Sequence, residues 1–173
     1  MVMMKTKIKK LKKSLMMVIL CAMAVTLLSA CGDEKTEAAS VDLQALLDEM
    51  KTTDSALPKM STVTESSENA EATFAILADF DYSKVDKFIY SYSDTGSPEE
   101  IAVVHVADKA AVGDLMKSLQ AHIDSRLGTF RQYNPDKAAV VEGAVLTYSD
   151  KYVLLAITPT SGAMQDIFKK KIG

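Results

Sequence analysis

Residues 85–106 read VDKFIYSYSDTGSPEEIAVVHV, and their hydrophobic pattern has a period of two. Aromatic side chains at Phe88, Tyr90 and Tyr92 alternate with mostly polar ones, which is typical of a strand with one buried face. Residues 94–98 have the composition of a turn. Residues 101–106 are apolar at nearly every position, which is typical of a strand buried on both faces. The segment therefore predicts a β-hairpin whose second strand is central.

A second hairpin is predicted at 144–149 and 152–158, with a tight turn at Asp150-Lys151. Apolar spacings of three and four residues, together with capping signals, predict the helices. They fall at about 43–52, 68–77, 108–128, 134–142 and 159–171, and Gly128 is the predicted end of the longest one. Residues 61–67 have the composition of a loop.

These elements predict an α+β fold, in which a four-stranded, mainly antiparallel sheet of two β-hairpins has its helices packed on one face. Residues 103–108 and 153–158 also echo each other, since in each case an apolar strand precedes a helix. The echo favours a duplicated β-β-α unit. The alternative is a chance match between two short apolar strands.

The N-terminus carries six lysines, then an uncharged run from Leu15 to Leu28, then Ser29, Ala30 and Cys31. A charged region, an apolar region and a small-residue cleavage site are the parts of a secretory signal. A cysteine directly after the cut resembles the lipobox of bacterial lipoproteins. We therefore predict cleavage between Ala30 and Cys31 and attachment of lipid to the Cys31 thiol, with a membrane anchor as the consequence.

The alternative is an uncleaved signal anchor, but the apolar run is shorter than the roughly 20 residues that span a bilayer. The predicted organisation is a signal peptide at 1–30, a flexible tether at 31–40 and a single α+β domain at 41–173. Such a protein works on the extracytoplasmic face of the cell membrane.

The net charge of the chain bears on which partners it can bind. Six of the 20 Lys and Arg residues and none of the 23 Asp and Glu residues precede Cys31, so the chain from Cys31 onward has a formal charge of −9. An acidic protein of this kind is not expected to bind nucleic acid or anionic head groups. Membrane attachment is therefore expected to come from acyl chains.

Residues that carry chemistry are scarce. The two histidines, His105 and His122, have no neighbouring cysteine, so neither a zinc site nor another metal site is predicted. Nucleophile elbows and phosphate-binding glycine loops are missing from the sequence, and no catalytic residue or cofactor is predicted. The pair Glu99-Glu100 is interpreted as a solvated start of a strand rather than as an acid/base pair.

The segment at 126–133 combines arginine and aromatic residues. Arg126 and Arg131 are the two arginines of the chain, and Phe130 and Tyr133 lie beside them. Guanidinium groups next to aromatic rings can hold a carboxylate or a sugar-like ligand, so these four residues form a candidate binding patch. The alternative is that the rings fill the core beneath a loop while the arginines pair with neighbouring acids.

The order of several short motifs resembles a bacterial lipoprotein family known as domain of unknown function 4358. The motifs are 57–60 (LPKM), 80–85 (FDYSKV), 100–103 (EIAV), a long helix ending near Arg126, the segment from Phe130 to 133–135 (YNP), and 152–157 (YVLLAI). The resemblance covers about residues 43–170. It implies a secreted, lipid-anchored domain, typically of Gram-positive envelopes, and supplies no activity or catalytic residue.

Three functions remain open at this point. The first is a lipid-anchored module that binds a small anionic or sugar-like ligand or an envelope protein, and the small number of catalytic residue types favours it. The second is an envelope hydrolase, or an accessory subunit of one, that uses carboxylates in a groove. The third is a structural spacer.

Overall fold

Five strands and five α-helices make up residues 41–173, the part of the chain that the computed structural model describes. In chain order they are α1 Leu43–Lys51, β1 Met60–Thr64, α2 Ala70–Leu77, β2 Val85–Ser93, β3 Glu100–Val106, α3 Val112–Tyr133, α4 Pro135–Glu142, β4 Val145–Ser149, β5 Tyr152–Ile157 and α5 Ser161–Ile172. The predicted signal peptide, cleavage site and tether fall at residues 1–40, outside this part.

All five strands belong to one antiparallel sheet with the order β1-β2-β3-β5-β4. The predicted α+β class and both predicted hairpins are confirmed, and β3 is the central strand. Val103 and Val104 point to opposite faces of β3, and neither is exposed to solvent. A strand that is apolar on both sides has to be covered on both sides, and this fixes β3 in the middle of the sheet.

The number of strands was predicted wrongly, because the sheet has five and not four. Residues of the predicted loop at 61–67 form most of β1, which pairs with β2 in a register that sets Val63 opposite Tyr90. Val63 is the one buried residue of this edge strand. A mostly polar strand gives little hydrophobic signal, and its pairing comes from backbone hydrogen bonds to β2.

The helices cover both faces of the sheet, so the predicted packing on one face is also wrong. On one face, α2, α3 and α4 enclose a core around Phe88, Val104 and Leu155. On the other face, α1 and α5 enclose a second core around Ile89 and Val103. A strand that is apolar at nearly every position is expected to be buried on both faces, but its sequence does not identify the helix that covers each face.

This arrangement also argues against a duplicated β-β-α unit. The hairpins β2-β3 and β4-β5 are each followed by a helix, but α3 packs on one face of the sheet and α5 on the other. If the two hairpins were copies of one unit, a two-fold rotation would exchange the antiparallel neighbours β3 and β5. The axis of that rotation is perpendicular to the sheet, so both copies of the helix would lie on the same face. The two halves are therefore not equivalent, and the sequence echo reflects two similar strands.

The longest helix extends beyond its predicted end. α3 continues through Gly128 to Tyr133, and Asn134-Pro135 separates it from α4. Gly128 does not have a positive φ angle, so it is an ordinary helical residue and not a left-handed cap. As a result, Phe130, Arg131 and Tyr133 lie on a helix and not on a loop.

Candidate functional site

The pair Glu99-Glu100 is buried, which overturns its interpretation as a solvated strand start. Glu99 is 5% exposed and Glu100 is 3% exposed. Glu100 is the first residue of β3 and points to the same face as Ala102 and Val104, which is the face that α3 covers. A carboxylate in this position requires partners on the helix, because an unpaired buried charge is strongly disfavoured.

Three side chains hold the Glu100 carboxylate. His122 and Arg126 lie one turn apart on α3, and the Nε2 atom of His122 is 2.7 Å from Oε2 of Glu100. The terminal nitrogen of Arg126 is 2.8 Å from the other carboxylate oxygen. The hydroxyl of Tyr90, on the neighbouring strand β2, is also hydrogen-bonded to Glu100. Burial raises the pKa of this hydroxyl, and the Glu100 carboxylate raises it further, so Tyr90 stays protonated and donates.

These contacts set the orientation of the His122 ring. Because a carboxylate oxygen accepts, we assign a proton of His122 to the Nε2 atom that contacts it. The hydrogen bond orients the imidazole ring against the sheet. The side chain is 11% exposed, and that exposed part faces a groove on the surface.

Glu99 is less well satisfied than its neighbour. Its Oε1 atom is 3.8 Å from the ammonium nitrogen of Lys137. Within residues 41–173, neither Oε2 of Glu99 nor Nε of Arg126 has a hydrogen-bond partner. Each unpaired buried polar atom costs about 1–3 kcal/mol. Polar groups that a fold keeps at such a cost are candidates for a functional role.

The groove above His122 lies between α2 and α3 and has a volume of about 500 Å³. Ligand sites in proteins are usually of roughly 300–1,000 Å³, so the groove is large enough for a small molecule. Its walls combine apolar and polar side chains, and the residues that line it are Ala75, Ile76, Leu77, Asp79, Asp114, Lys117, Ser118, Ala121, His122 and Ser125.

The candidate patch at 126–133 is divided by the structure. Arg126 lies over the ring of Phe130, at 5.0 Å from its centroid, and Phe130 is buried in the core. Arg131 instead pairs with Glu142 of α4 at 2.7 Å. Tyr133 is 77% exposed at the end of α3. Both guanidinium groups are therefore paired with carboxylates of the chain itself.

The other residues singled out from the sequence are His105, Ala30 and Cys31. His105, near the end of β3, pairs with Asp86 at 2.8 Å, and its ring contacts the ring of Tyr152 in a tilted arrangement. Within residues 41–173 there is no cluster of three or more His, Asp or Glu side chains that could hold a metal ion. Over the same residues, no helix is long and apolar enough to cross a bilayer. Ala30 and Cys31 lie outside the described residues.

Sequence reasoning missed the cluster of Tyr90, Glu100, His122 and Arg126, although a signal for it exists. Leu115 and Leu119 define the apolar stripe of α3, and continuing that stripe in steps of about four residues leads to His122 and Arg126. The period of β3 likewise extends to Glu100. Two polar side chains on the buried stripe of a helix call for a buried partner on the sheet.

The comparisons with known proteins identify a family. The sequence model described as Domain of unknown function (DUF4358) matches residues 59–158, which include all five strands, the groove and the Glu100 cluster. The match is narrower than the expected 43–170 and leaves out α1 and α5. No curated protein and no solved structure was found to match the chain. Because the matched segment is more than half of the chain, this protein belongs to the DUF4358 family.

Proposed function

We propose that this protein is a lipid-anchored, extracytoplasmic binding module that holds a small ligand in the groove between α2 and α3. The observation that carries the proposal is the groove itself, about 500 Å³ in volume, with His122 in its wall. Small-molecule sites are usually concave and combine apolar side chains with a few polar groups that orient the ligand. The triplet Ser29-Ala30-Cys31 supports the location and the anchor.

The Glu100 cluster supports binding because it holds one wall of the groove rigid. His122 is oriented by Glu100, and Arg126 holds the same carboxylate from the next turn of α3. A side chain that is already oriented loses little conformational entropy when a ligand arrives. The buried cluster therefore serves the groove as a support, and the ligand contacts His122 rather than Glu100.

A hydrolase is the second candidate, and one observation favours it. Asp79 and Asp114 both line the groove, which agrees with the expectation of carboxylates in a groove. Asp114 is engaged by Lys117, with the ammonium nitrogen 3.5 Å from the carboxylate oxygen. A hydrolase requires at least one of these two carboxylates for proton transfer, so at least one of the variants Asp79→Asn and Asp114→Asn should abolish turnover while the protein stays folded.

The test of the groove is a ligand screen by thermal shift with the full-length chain in detergent, against envelope sugars, peptides, amino acids, amines and anions. Ala121 lines the groove on the exposed side of α3, and Ala121→Phe should fill it and remove the shift caused by any ligand. Ala163→Phe is the matched control, because Ala163 is exposed on α5, on the other face of the sheet. The proposal fails if Ala121→Phe leaves every ligand-induced shift unchanged.

A further inference from the structure

The groove between α2 and α3 is electronegative for three separate reasons. The first is the carboxylate of Asp79, which has no hydrogen-bond or ion-pair partner among residues 41–173. The second is the carboxylate of Asp114 on the facing helix, which together with Asp79 outnumbers the one lysine of the lining. The third is the carboxyl end of α2, whose last residues Ala75, Ile76 and Leu77 line the groove.

The end of α2 contributes through its backbone. The last carbonyl groups of a helix have no partner within the helix, and they carry roughly half a negative charge. Cationic side chains in the last turn commonly balance this charge, but α2 has no basic residue there. The carboxyl end of α2 therefore favours a cation that comes from outside the helix.

The chain supplies little positive charge to this groove. Lys117 is the one lysine or arginine in the lining, and its ammonium group already pairs with Asp114 at 3.5 Å. Its side chain is 83% exposed, so the charge is largely hydrated. The remaining polar atoms come from Ser118, Ser125 and His122, and the neutral form of the imidazole with its proton on Nε2 presents Nδ1 as an acceptor.

An apolar surface lies beside these acceptors. Ile76 is 73% exposed, so its aliphatic side chain is open to contact with a ligand. Ala75 and Ala121 continue the apolar surface along the same groove. The lining therefore offers contact area to a hydrocarbon chain together with acceptors for a positively charged group.

We propose that the ligand of this groove carries a primary ammonium group on a short aliphatic arm. The ammonium group donates to the Asp79 carboxylate, and the arm packs against Ile76. This inference rests on the proposed binding function, because it assigns a chemical class to the same groove. Two sources supply such a group, a free aliphatic diamine and the side chain of a diamino acid within a peptide.

The experiment is isothermal titration of the full-length chain in detergent with two probes, 1,5-diaminopentane and Nα-acetyl-lysine amide. Nα-acetyl-norleucine amide is the control ligand, because it has a similar aliphatic arm without the ammonium group. We expect binding of one or both amines and at least a tenfold weaker Kd for the norleucine compound, since a charge-assisted hydrogen bond is lost. The tighter of the two amine probes identifies the source.

Matched variants test the residues involved. Asp79→Asn is expected to weaken amine binding by about tenfold, since a neutral amide replaces the carboxylate. Asp166→Asn, at an exposed aspartate of α5, is the control and should leave the Kd unchanged. If Asp79→Asn lowers the melting temperature, Ile76→Ser tests the aliphatic contact at an exposed position and should weaken amine binding as well.

Each other outcome has a defined meaning. Binding of the lysine and norleucine compounds with equal measurable affinity, or an unchanged Kd for the amine that binds in both Asp79→Asn and Ile76→Ser, overturns the ammonium proposal. If neither amine binds but another class of ligand is blocked by Ala121→Phe, the ammonium proposal falls and the binding function stands. If Ala121→Phe affects no ligand at all, both fall.

Discussion

The Nε2 atom of His122 lies 2.7 Å from the Oε2 atom of Glu100, which joins the middle of the longest helix to the first residue of the central strand. Arg126 reaches the other oxygen of the same carboxylate from one turn further along α3. Two contacts from one helix face to one side chain fix the position of α3 along the sheet. They also fix the wall of the groove, because His122 belongs to both.

Replacing Glu100 is expected to destabilise the protein strongly. Glu100→Gln leaves the guanidinium group of Arg126 facing a neutral amide, and removing one partner of a buried ion pair costs about 3–5 kcal/mol. Arg126 is 29% exposed and keeps some hydration, so we expect a loss at the lower end, about 3 kcal/mol. Urea unfolding followed by circular dichroism measures this free energy.

Glu142→Gln is the matched control for Glu100→Gln. Glu142 contacts Arg131 of α3 at 2.7 Å, but the side chains of Arg131 and Glu142 are 61% and 49% exposed. An ion pair in water contributes roughly 0–1 kcal/mol. Equal losses in the two variants would show that the burial of Glu100 has no energetic consequence.

Gly128→Ala is expected to stabilise the protein by about 0.4–1 kcal/mol. Gly128 has ordinary helical backbone angles within α3, and a Cβ atom built there meets no other atom within 4 Å. Alanine restricts the unfolded chain and costs nothing in the helix, so the free energy of unfolding should rise. If α3 ended at Gly128 in a left-handed cap, the same substitution would be destabilising.

Gly96→Ala should have the opposite effect. Gly96 lies in the turn between β2 and β3 and has a φ angle of +74°. An alanine there is strained, although no atom lies within 4 Å of the added Cβ. Thermal unfolding of both variants should therefore show a raised melting temperature for Gly128→Ala and a lowered one for Gly96→Ala.

Asp94 should make stability depend on pH on the acid side. The hydroxyl of Ser61 and the ammonium group of Lys59 hold the pKa of the Asp94 carboxyl below its ordinary value of 3.8. Because the folded state binds this proton less readily than the unfolded state, the contribution is complete above the ordinary pKa. It is lost as the pH falls through the lowered pKa of the folded state.

The measurement is the free energy of unfolding of the wild type and of Asp94→Asn from about pH 6 down to pH 2. The difference between the two proteins should be constant above about pH 5 and should shrink on acidification. Adding Ser61→Ala should reduce the effect of Asp94→Asn, because the hydroxyl contact is already gone. A difference that does not change with pH would contradict this account.

Cys31→Ala should release the protein from membranes or block its maturation. The thiol of Cys31 is the proposed attachment point for lipid, and stable anchoring of a soluble domain takes two acyl chains or an equivalent pair of signals. Fractionation of cells that express each form measures the effect. Mass spectrometry should give a lipid-modified Cys31 as the first residue of the wild type, and an unmodified or uncleaved N-terminus would contradict the assignment.

The two hairpins and all five α-helices of residues 41–173 were predictable, because each has a local signal. Asp42 accepts hydrogen bonds from the backbone of Gln44 and Ala45 at the start of α1. Asp150 adopts a positive φ angle in the predicted two-residue turn between β4 and β5. Caps, turns and apolar periods depend on neighbouring residues, so the sequence alone shows them.

The edge strand β1 and the Glu100 cluster were not predicted, for a different reason. Thr62 and Val63 belong to a strand only because β2 lies beside them. Glu100 is buried because α3 covers it, with His122 and Arg126, more than 20 positions later in the chain, at its carboxylate. The sequence around a polar residue is the same whether its side chain is solvated or buried against a partner. Buried polar pairs can therefore be identified only from the packed structure.

The sequence by itself determined the fold class, the central position of β3 and the bounds of most elements, because alternating burial and capping are local properties of the chain. Tertiary structure alone decided which helix covers which face, and it brought Glu100, His122 and Arg126 together beneath a groove. The physical reason is that burial of a charged residue depends on a partner distant in sequence, whereas burial of an apolar residue follows from its own side chain.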